Sequence, residues 1–240
     1  MSAIAVIDFE TTGLSPAMGD RATEVAIVLM EGDKVVDRFQ SLMNAGVRIN
    51  AFIESYTGIS NEMIASAPPA EDVMAAASRF VGDAPMVAHN ASFDRRFWAA
   101  ELERLGYDRA PANRHAPFAC TLLLSRRLYP EAVSFRLASL AAFHDLSFSS
   151  RAHRAMADAE VAAALLARIQ RDLERRYDVF DGGHDLLVKL QKAPRKKMPD
   201  AIRKYFEALP GGTGLALAST PQAGEQATMG VGALGAGDGA

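Results

Sequence analysis

Apolar positions change period several times along the chain, and each change predicts an element. Ala3–Phe9 is a short, largely apolar run interrupted by one acid near its end, the pattern of a buried central strand. Gly13 to Asp20 is rich in Gly, Pro and Ser and reads as a loop. Thr23–Met30 and Lys34–Leu42 are strand-like and flank Glu31-Gly32-Asp33, a spacing that predicts a hairpin. Short helical turns are expected over Asn50–Ser66, a helix over Ala70–Val81 and a brief strand over Pro85–Ala88.

From Ala91 to Leu105 the pattern turns helical, with Asn90 as the expected N-cap and Gly106 as the stop. Further helices are expected near Thr121–Leu128 and Leu137–His144. The clearest helical signal runs from about Arg154 to Arg176. There Ala155, Ala159, Ala162, Leu166, Ile169 and Leu173 recur at alternating steps of four and three and form one apolar stripe. Strands first, then strands mixed with helices, predict an α/β sheet covered by helices.

The character changes after Tyr177. Residues 178–210 read as a helical appendage with two short helices, the second opened by Pro199. Within it Lys189, Lys192, Arg195, Lys196, Lys197, Arg203 and Lys204 face a single acid, Asp200, over 189–204. Such a run is either a solvated basic face or a surface that steers a phosphate backbone. Residues 211–240 hold nine glycines and seven alanines with no aromatic residue, Lys or Arg, and are expected to be a disordered tail. The main domain is thus expected over 1–177.

Composition narrows the function classes. Apolar residues make up 49% and charged residues 23%, ordinary for a globular protein with a full core. The net charge of -3 gives no global attraction to polyanions, so nucleic-acid binding would need a local basic patch or bound metal. One cysteine, Cys120, allows no internal disulfide and no Cys-based zinc site. No basic leader precedes Asp8 and no long apolar stretch occurs, so a cytoplasmic protein without a membrane partner is expected.

Three groups of residues carry candidate chemistry. Asp8 and Glu10 alternate on the first strand and so present two carboxylates on one face. Paired like charges at the end of an apolar strand are costly unless neutralised, which a hard divalent cation with oxygen ligands would do. His89-Asn90-Ala91-Ser92-Phe93-Asp94 follows another strand and puts a third acid in the first turn of a helix. In it Phe93 reads as core, and His89 either as a structural hydrogen-bonding group, the favoured reading, or as a substrate contact. His153 and Asp158 are five residues apart, about 500° of helix rotation, so His153 must precede the helix if both serve one site. Each group also has an ordinary reading: solvated acids at a strand end, an Asp favoured by the helix dipole, a surface His.

In order and spacing, Asp8 and Glu10, then Asp94, then His153 and Asp158, resemble the DEDD exonuclease superfamily in its branch with a histidine in the last motif. That branch includes the epsilon proofreading subunit of bacterial DNA polymerase III, RNase T and oligoribonuclease. The resemblance covers roughly residues 3 to 175 and extends to Thr57-Gly58-Ile59-Ser60 and Cys120-Thr121. Thr57 stands where the epsilon subunit usually has His. Gln226-Ala227-Thr228-Met229-Gly230-Val231 only loosely resembles the clamp-binding hexapeptide of that subunit, lacking its final aromatic residue.

The resemblance implies an RNase H-like fold, a mixed five-stranded sheet flanked by helices. It implies that Asp8, Glu10, Asp94 and Asp158 hold two Mg²⁺ or Mn²⁺ ions and that His153 is the general base. It further implies that Glu10, Thr11, Thr12, Gly13, Leu14 and His153 contact the nucleic-acid 3′ end, with Leu14 wedging between the last two bases. The expected activity is 3′→5′ exonucleolytic release of nucleoside 5′-monophosphates, with single-stranded DNA favoured as substrate and a DNA polymerase or clamp as a partner. The competing readings are RNA trimming, a non-catalytic binding module on the same fold, and hydrolysis of small nucleotides.

Overall fold

The computed structural model describes residues 3–106, 111–147, 154–180 and 183–209. His153 and the tail from 210 to 240 therefore lie outside the described residues. The first strand, β1 (Ile4–Thr11), runs antiparallel to β2 (Ala22–Glu31), which forms a hairpin with β3 (Lys34–Leu42). Gly32 takes φ 61° in the hairpin turn, a conformation that glycine adopts without a Cβ penalty. On its other side β1 pairs in parallel with β4 (Met86–Ala88), and β4 with β5 (Phe118–Cys120). The sheet order is β3-β2-β1-β4-β5, five strands of mixed direction, as the resemblance implied.

Alternation along β1 divides the core between two faces. Ala5, Ile7 and Phe9 pack with α3 (Ala70–Val81) and α4 (Ser92–Glu103), whereas Val6 joins Ala26, Val28 and the long helix α7 (Ala155–Tyr177). All six stripe residues of α7 are buried, from Ala155 to Leu173. Between β3 and α3 lie α1 (Ala51–Thr57) and α2 (Asn61–Ala65), each started by a side-chain cap, Asn50 and Ser60 respectively. After β5 come α5 (Thr121–Leu128) and α6 (Leu137–Phe143).

Two local expectations differ from the structure. Asn90 does not cap α4: it takes φ 62°, and Ala91 occupies the cap position without a side-chain hydrogen bond. The left-handed turn at Asn90 is what swings the chain from β4 into α4, and Asn tolerates it better than most residues. The strand β5 is not among the expected elements; its three residues are set by parallel pairing with β4.

The C-terminal segment forms α8 (His184–Leu190), a 3₁₀ turn at Arg195–Lys197 and α9 (Met198–Glu207), with Pro199 in the first turn of α9. Leu186, Leu187, Leu190, Met198 and Ile202 are buried in the same core as α7. Among the described residues, no helix is long and apolar enough to cross a membrane.

Candidate active site

The alternation that buries Val6 against α7 also turns Asp8 and Glu10 toward that helix, at the C-terminal end of β1. Asp158, in the first turn of α7, meets them there. One carboxylate oxygen from each of Asp8, Glu10 and Asp158 lies within 4.8 Å of the others. Three oxygen donors at this spacing match a hard divalent cation. Asp94 arrives from the opposite layer, in the first turn of α4, and its Oδ1 accepts from the Phe9 backbone N–H at 3.3 Å. It is 2% exposed and stands beside the trio rather than within it.

The electrostatics are those of an acid cluster short of positive charge. Burial, then Asp94, Glu10 and Asp158, push the Asp8 carboxyl far above its ordinary range. Glu10 is raised to about 8 by burial, then by Asp158 and Glu24, with Arg154 opposing. Asp94 is raised to about 8 by burial, against the pull of backbone donors at Asp94 and Phe9. Each acid is therefore poised to exchange a proton for a cation. The residues present fit bound divalent metal.

Sequence reasoning missed the residues that hold this cluster. Glu24, fully buried and paired with Glu10 across the β1–β2 register, accepts from Arg154 Nη2 at 2.8 Å, Arg154 Nε at 3.1 Å and the Ala155 N–H at 3.2 Å. Gln40 Nε2 donates to it at 2.8 Å. The available signal was a lone acid inside the apolar run Ala22–Met30. Glu101, also buried, receives Arg21 through two nitrogens at 2.9 Å each and the Ala22 N–H at 3.1 Å.

The loop leaving β1 is folded back on itself. Thr12 N–H donates to Arg21 O at 2.9 Å, Arg21 N–H to Thr12 Oγ1 at 3.0 Å, and Thr11 Oγ1 to Gly13 O at 2.6 Å. Gly13 leaves room for the Asp20 carboxylate that accepts from Ser15 N–H, because a Cβ here would displace it. Leu14 is left 80% exposed at the end of this loop. Near the acids, α1 presents Phe52 and Tyr56 stacked with ring centroids 5.9 Å apart and planes within 12°. The Tyr56 phenol is raised by burial and then by Glu10 and Asp158, which places it in their field.

His89 is half-buried and bonded at both ring nitrogens, to Thr121 Oγ1 at 2.9 Å and Phe135 O at 3.0 Å. Burial lowers it to about 4, so it is neutral near pH 7 and fastens β4 to the α5 and α6 region. Phe93 packs on Phe97 at 4.8 Å. A groove of about 680 Å³ around Ile4, Pro85, Phe180 and His184 lies at the opposite end of β1, and none of the acid-cluster residues lines it.

The exonuclease family model named for RNase T matches residues 5–166, which takes in β1 and the first half of α7. The chain belongs to the DEDD exonuclease superfamily. Among curated relatives, a PolC-type DNA polymerase III of Bacillus subtilis is 37% identical over 167 residues, 70% of this chain and 11% of the relative. The 3′-5′ exonuclease DinG of the same organism is 35% identical over 170 residues, 71% of this chain and 18% of the relative. The chain spans less than a fifth of the length of these relatives. Among solved structures, Exonuclease X in complex with 5′-overhanging duplex DNA superposes with TM-score 0.60 at 25% identity, covering 78% of this chain and 99% of that one. Exonuclease I in complex with a dT13 oligonucleotide, at 20% identity and TM-score 0.62 over 73% of this chain and 42% of that one, shares the fold.

Proposed function

We propose that this chain is a 3′→5′ exonuclease that removes nucleoside 5′-monophosphates from single-stranded 3′ ends, with DNA as its preferred substrate. The observation that carries this reading is the convergence of Asp8, Glu10 and Asp158 to within 4.8 Å from elements separated by nearly the whole family domain. The DNA preference rests on the PolC-type relatives, named as DNA polymerases, and on Exonuclease X, solved with duplex DNA.

Asp8, Glu10, Asp94 and Asp158 would hold two Mg²⁺ or Mn²⁺ ions. Bound cations would make the attacking water more acidic and stabilise charge on the departing 3′-oxygen. The chain's own groups orient and deprotonate. His153 accepts the proton of the attacking water, a role suited to an unperturbed pKa of about 6.5. The water oxygen bonds to phosphorus while the P–O3′ bond breaks, and the departing 3′-oxygen takes a proton from solvent to leave a 3′-hydroxyl on the shortened strand. Thr11 to Gly13 form the wall of the terminal-nucleotide site, and exposed Leu14 stands as a wedge beside it.

A cytoplasmic setting suits the single thiol of Cys120. A DNA polymerase is the partner that the PolC similarity favours, and co-purification with a polymerase would test it.

The activity test is digestion of a 5′-labelled single strand with Mn²⁺, with and without EDTA. Stepwise shortening from the 3′ end that EDTA stops, and that Asp158→Ala slows on the order of 10³-fold, is the expected result. Full activity in Asp158→Ala would overturn the assignment.

A further inference from the structure

A polyanionic strand must be held by cations, and near the acid cluster Arg154 is already committed to Glu24. The C-terminal segment offers what the site lacks. Its turn between α8 and α9 is fixed at both ends by Leu190 and Met198, each fully buried. Gln191 takes the place of a neighbouring strand on the open edge of β5: its Oε1 accepts from Cys120 N–H at 2.6 Å and its Nε2 donates to Phe118 O at 3.1 Å. Arg127 Nε donates to Ala193 O at 2.7 Å. On this rigid support Lys192, Arg195, Lys196 and Lys197 are all exposed. Among the described residues, none of these four side chains has a hydrogen-bond or ion-pair partner. The nearby acids Asp200 and Glu207 are both engaged by Arg203.

Register places this turn relative to the chemistry. Val6 pairs with Val87 and Val87 with Ala119, so Cys120 is level with Ile7, one residue short of Asp8. Two strand spacings, about 10 Å, separate β5 from β1. Four like charges held together repel one another, and nothing in the fold requires them. Bound phosphates would relieve that repulsion and release condensed counterions.

We propose that the turn 192–197 is a docking surface for the sugar-phosphate backbone of a single-stranded nucleic acid, gripping the strand several nucleotides upstream of the 3′ end in the carboxylate site. The identity of the strand as substrate rests on the exonuclease reading; the surface itself does not. The test compares the parent chain with the fourfold variant Lys192→Gln, Arg195→Gln, Lys196→Gln, Lys197→Gln. Binding of a labelled single-stranded oligonucleotide is measured in EDTA across a salt series, and Mn²⁺-dependent hydrolysis is measured on a dinucleotide and on the long strand.

The expected variant binds the long strand on the order of 10- to 100-fold more weakly at low salt, with a log–log salt slope smaller by about 2–3, at about 0.7 per lost phosphate contact. Its hydrolysis of the dinucleotide matches the parent. Equal affinity and slope in the two proteins overturn the surface, as does an equal loss on dinucleotide and long strand, which would mark the turn as a folding element. Parent binding to phosphatidylserine vesicles but not to oligonucleotides overturns it in favour of a membrane. Failure of the parent to hydrolyse either substrate sinks the exonuclease reading alone, because the EDTA binding series still decides the surface.

Discussion

Glu24 on β2 and Arg154 at the start of α7 are joined by contacts of 2.8 and 3.1 Å, and the same carboxylate caps the Ala155 N–H. Arg21 and Glu101 do the corresponding work for α4, at 2.9 Å through two nitrogens. β2 is the neighbour of β1 in the sheet. Each helix that delivers a candidate ligand to the Asp8–Glu10 edge is therefore fastened to the adjacent strand by a buried acid–arginine pair. Asp158 and Asp94 reach β1 from opposite faces, Asp158 joining Asp8 and Glu10 and Asp94 bonding the Phe9 N–H beside them.

Removing the Glu24 carboxylate tests the first of these clamps. Glu24→Ala leaves a partly exposed guanidinium and a buried N–H without their acceptor, and should lower stability by about 2–4 kcal/mol in urea denaturation. Hydrolysis should fall further than the loss of folded protein accounts for, because Asp158 is no longer held in register. Glu24→Gln keeps part of the bonding and should retain more of both. An alanine variant with parental stability would show that packing of α7 suffices without the clamp.

The acid cluster also fixes a pH dependence. Glu10 and Asp94 rise from 4.5 and 3.8 to about 8 in the folded chain. The folded state thus holds protons on these two groups that the unfolded chain releases, so their contribution to metal-free stability is greatest below about 4 and is lost as pH rises toward 8. His89 works in the other direction, but only between about 4 and 6.5. From pH 6.5 to 8 the carboxylates of this site govern alone among these groups. Melting temperature in EDTA should fall across that interval, and added Mn²⁺ should raise it more at pH 8 than at pH 6.5. A flat metal-free profile would mean that the acids do not share one field.

Much of this arrangement is legible in the sequence because it is local. The hairpin, α3, α5 and the α7 stripe follow from period, caps and turn residues, and the order of acids on strand and helix starts points to their convergence. What is not legible depends on distance along the chain. β5 exists because Phe118–Cys120 pairs with β4 on one side and with Gln191 on the other. The Glu24–Arg154 contact spans 130 residues, and no local rule reaches that far. Asn90 illustrates a competition between local rules, since the residue suited to an N-cap is used instead for a left-handed turn.

His89 adjoins the motif that carries Asp94, yet its bonds to Thr121 and Phe135 make it a latch. His89→Ala should cost about 2 kcal/mol through the lost bonds and the cavity. Its neutral form is the one buried, with the folded pKa at about 4 against an ordinary 6.5. That contribution is fully present above 6.5 and disappears as pH falls toward 4, so the parent should lose stability through this window more steeply than the variant. Equilibrium denaturation at pH 4.5 and 7 measures the difference. A variant equally destabilised at both values would show that His89 does not titrate between them.

Phe52 and Tyr56 provide the last test, because their stacked rings leave aromatic surface exposed beside the acid cluster. The rings are 71% and 47% exposed, nearly coplanar, and Tyr56 lies in the field of Glu10 and Asp158. On the exonuclease reading, these rings and the exposed Leu14 would offer apolar surface to a 3′-terminal nucleotide. Stacking on an aromatic ring contributes about 1–3 kcal/mol per base regardless of base identity. Phe52→Ala with Tyr56→Ala should therefore raise KM for single strands by roughly 10- to 100-fold while changing kcat little, since the carboxylates are untouched. Tyr56→Phe, which keeps the ring, should restore most of that loss in the Tyr56 position. Steady-state kinetics on a single-stranded oligonucleotide distinguishes the cases, and an unchanged KM in the double variant would remove both rings from the binding site.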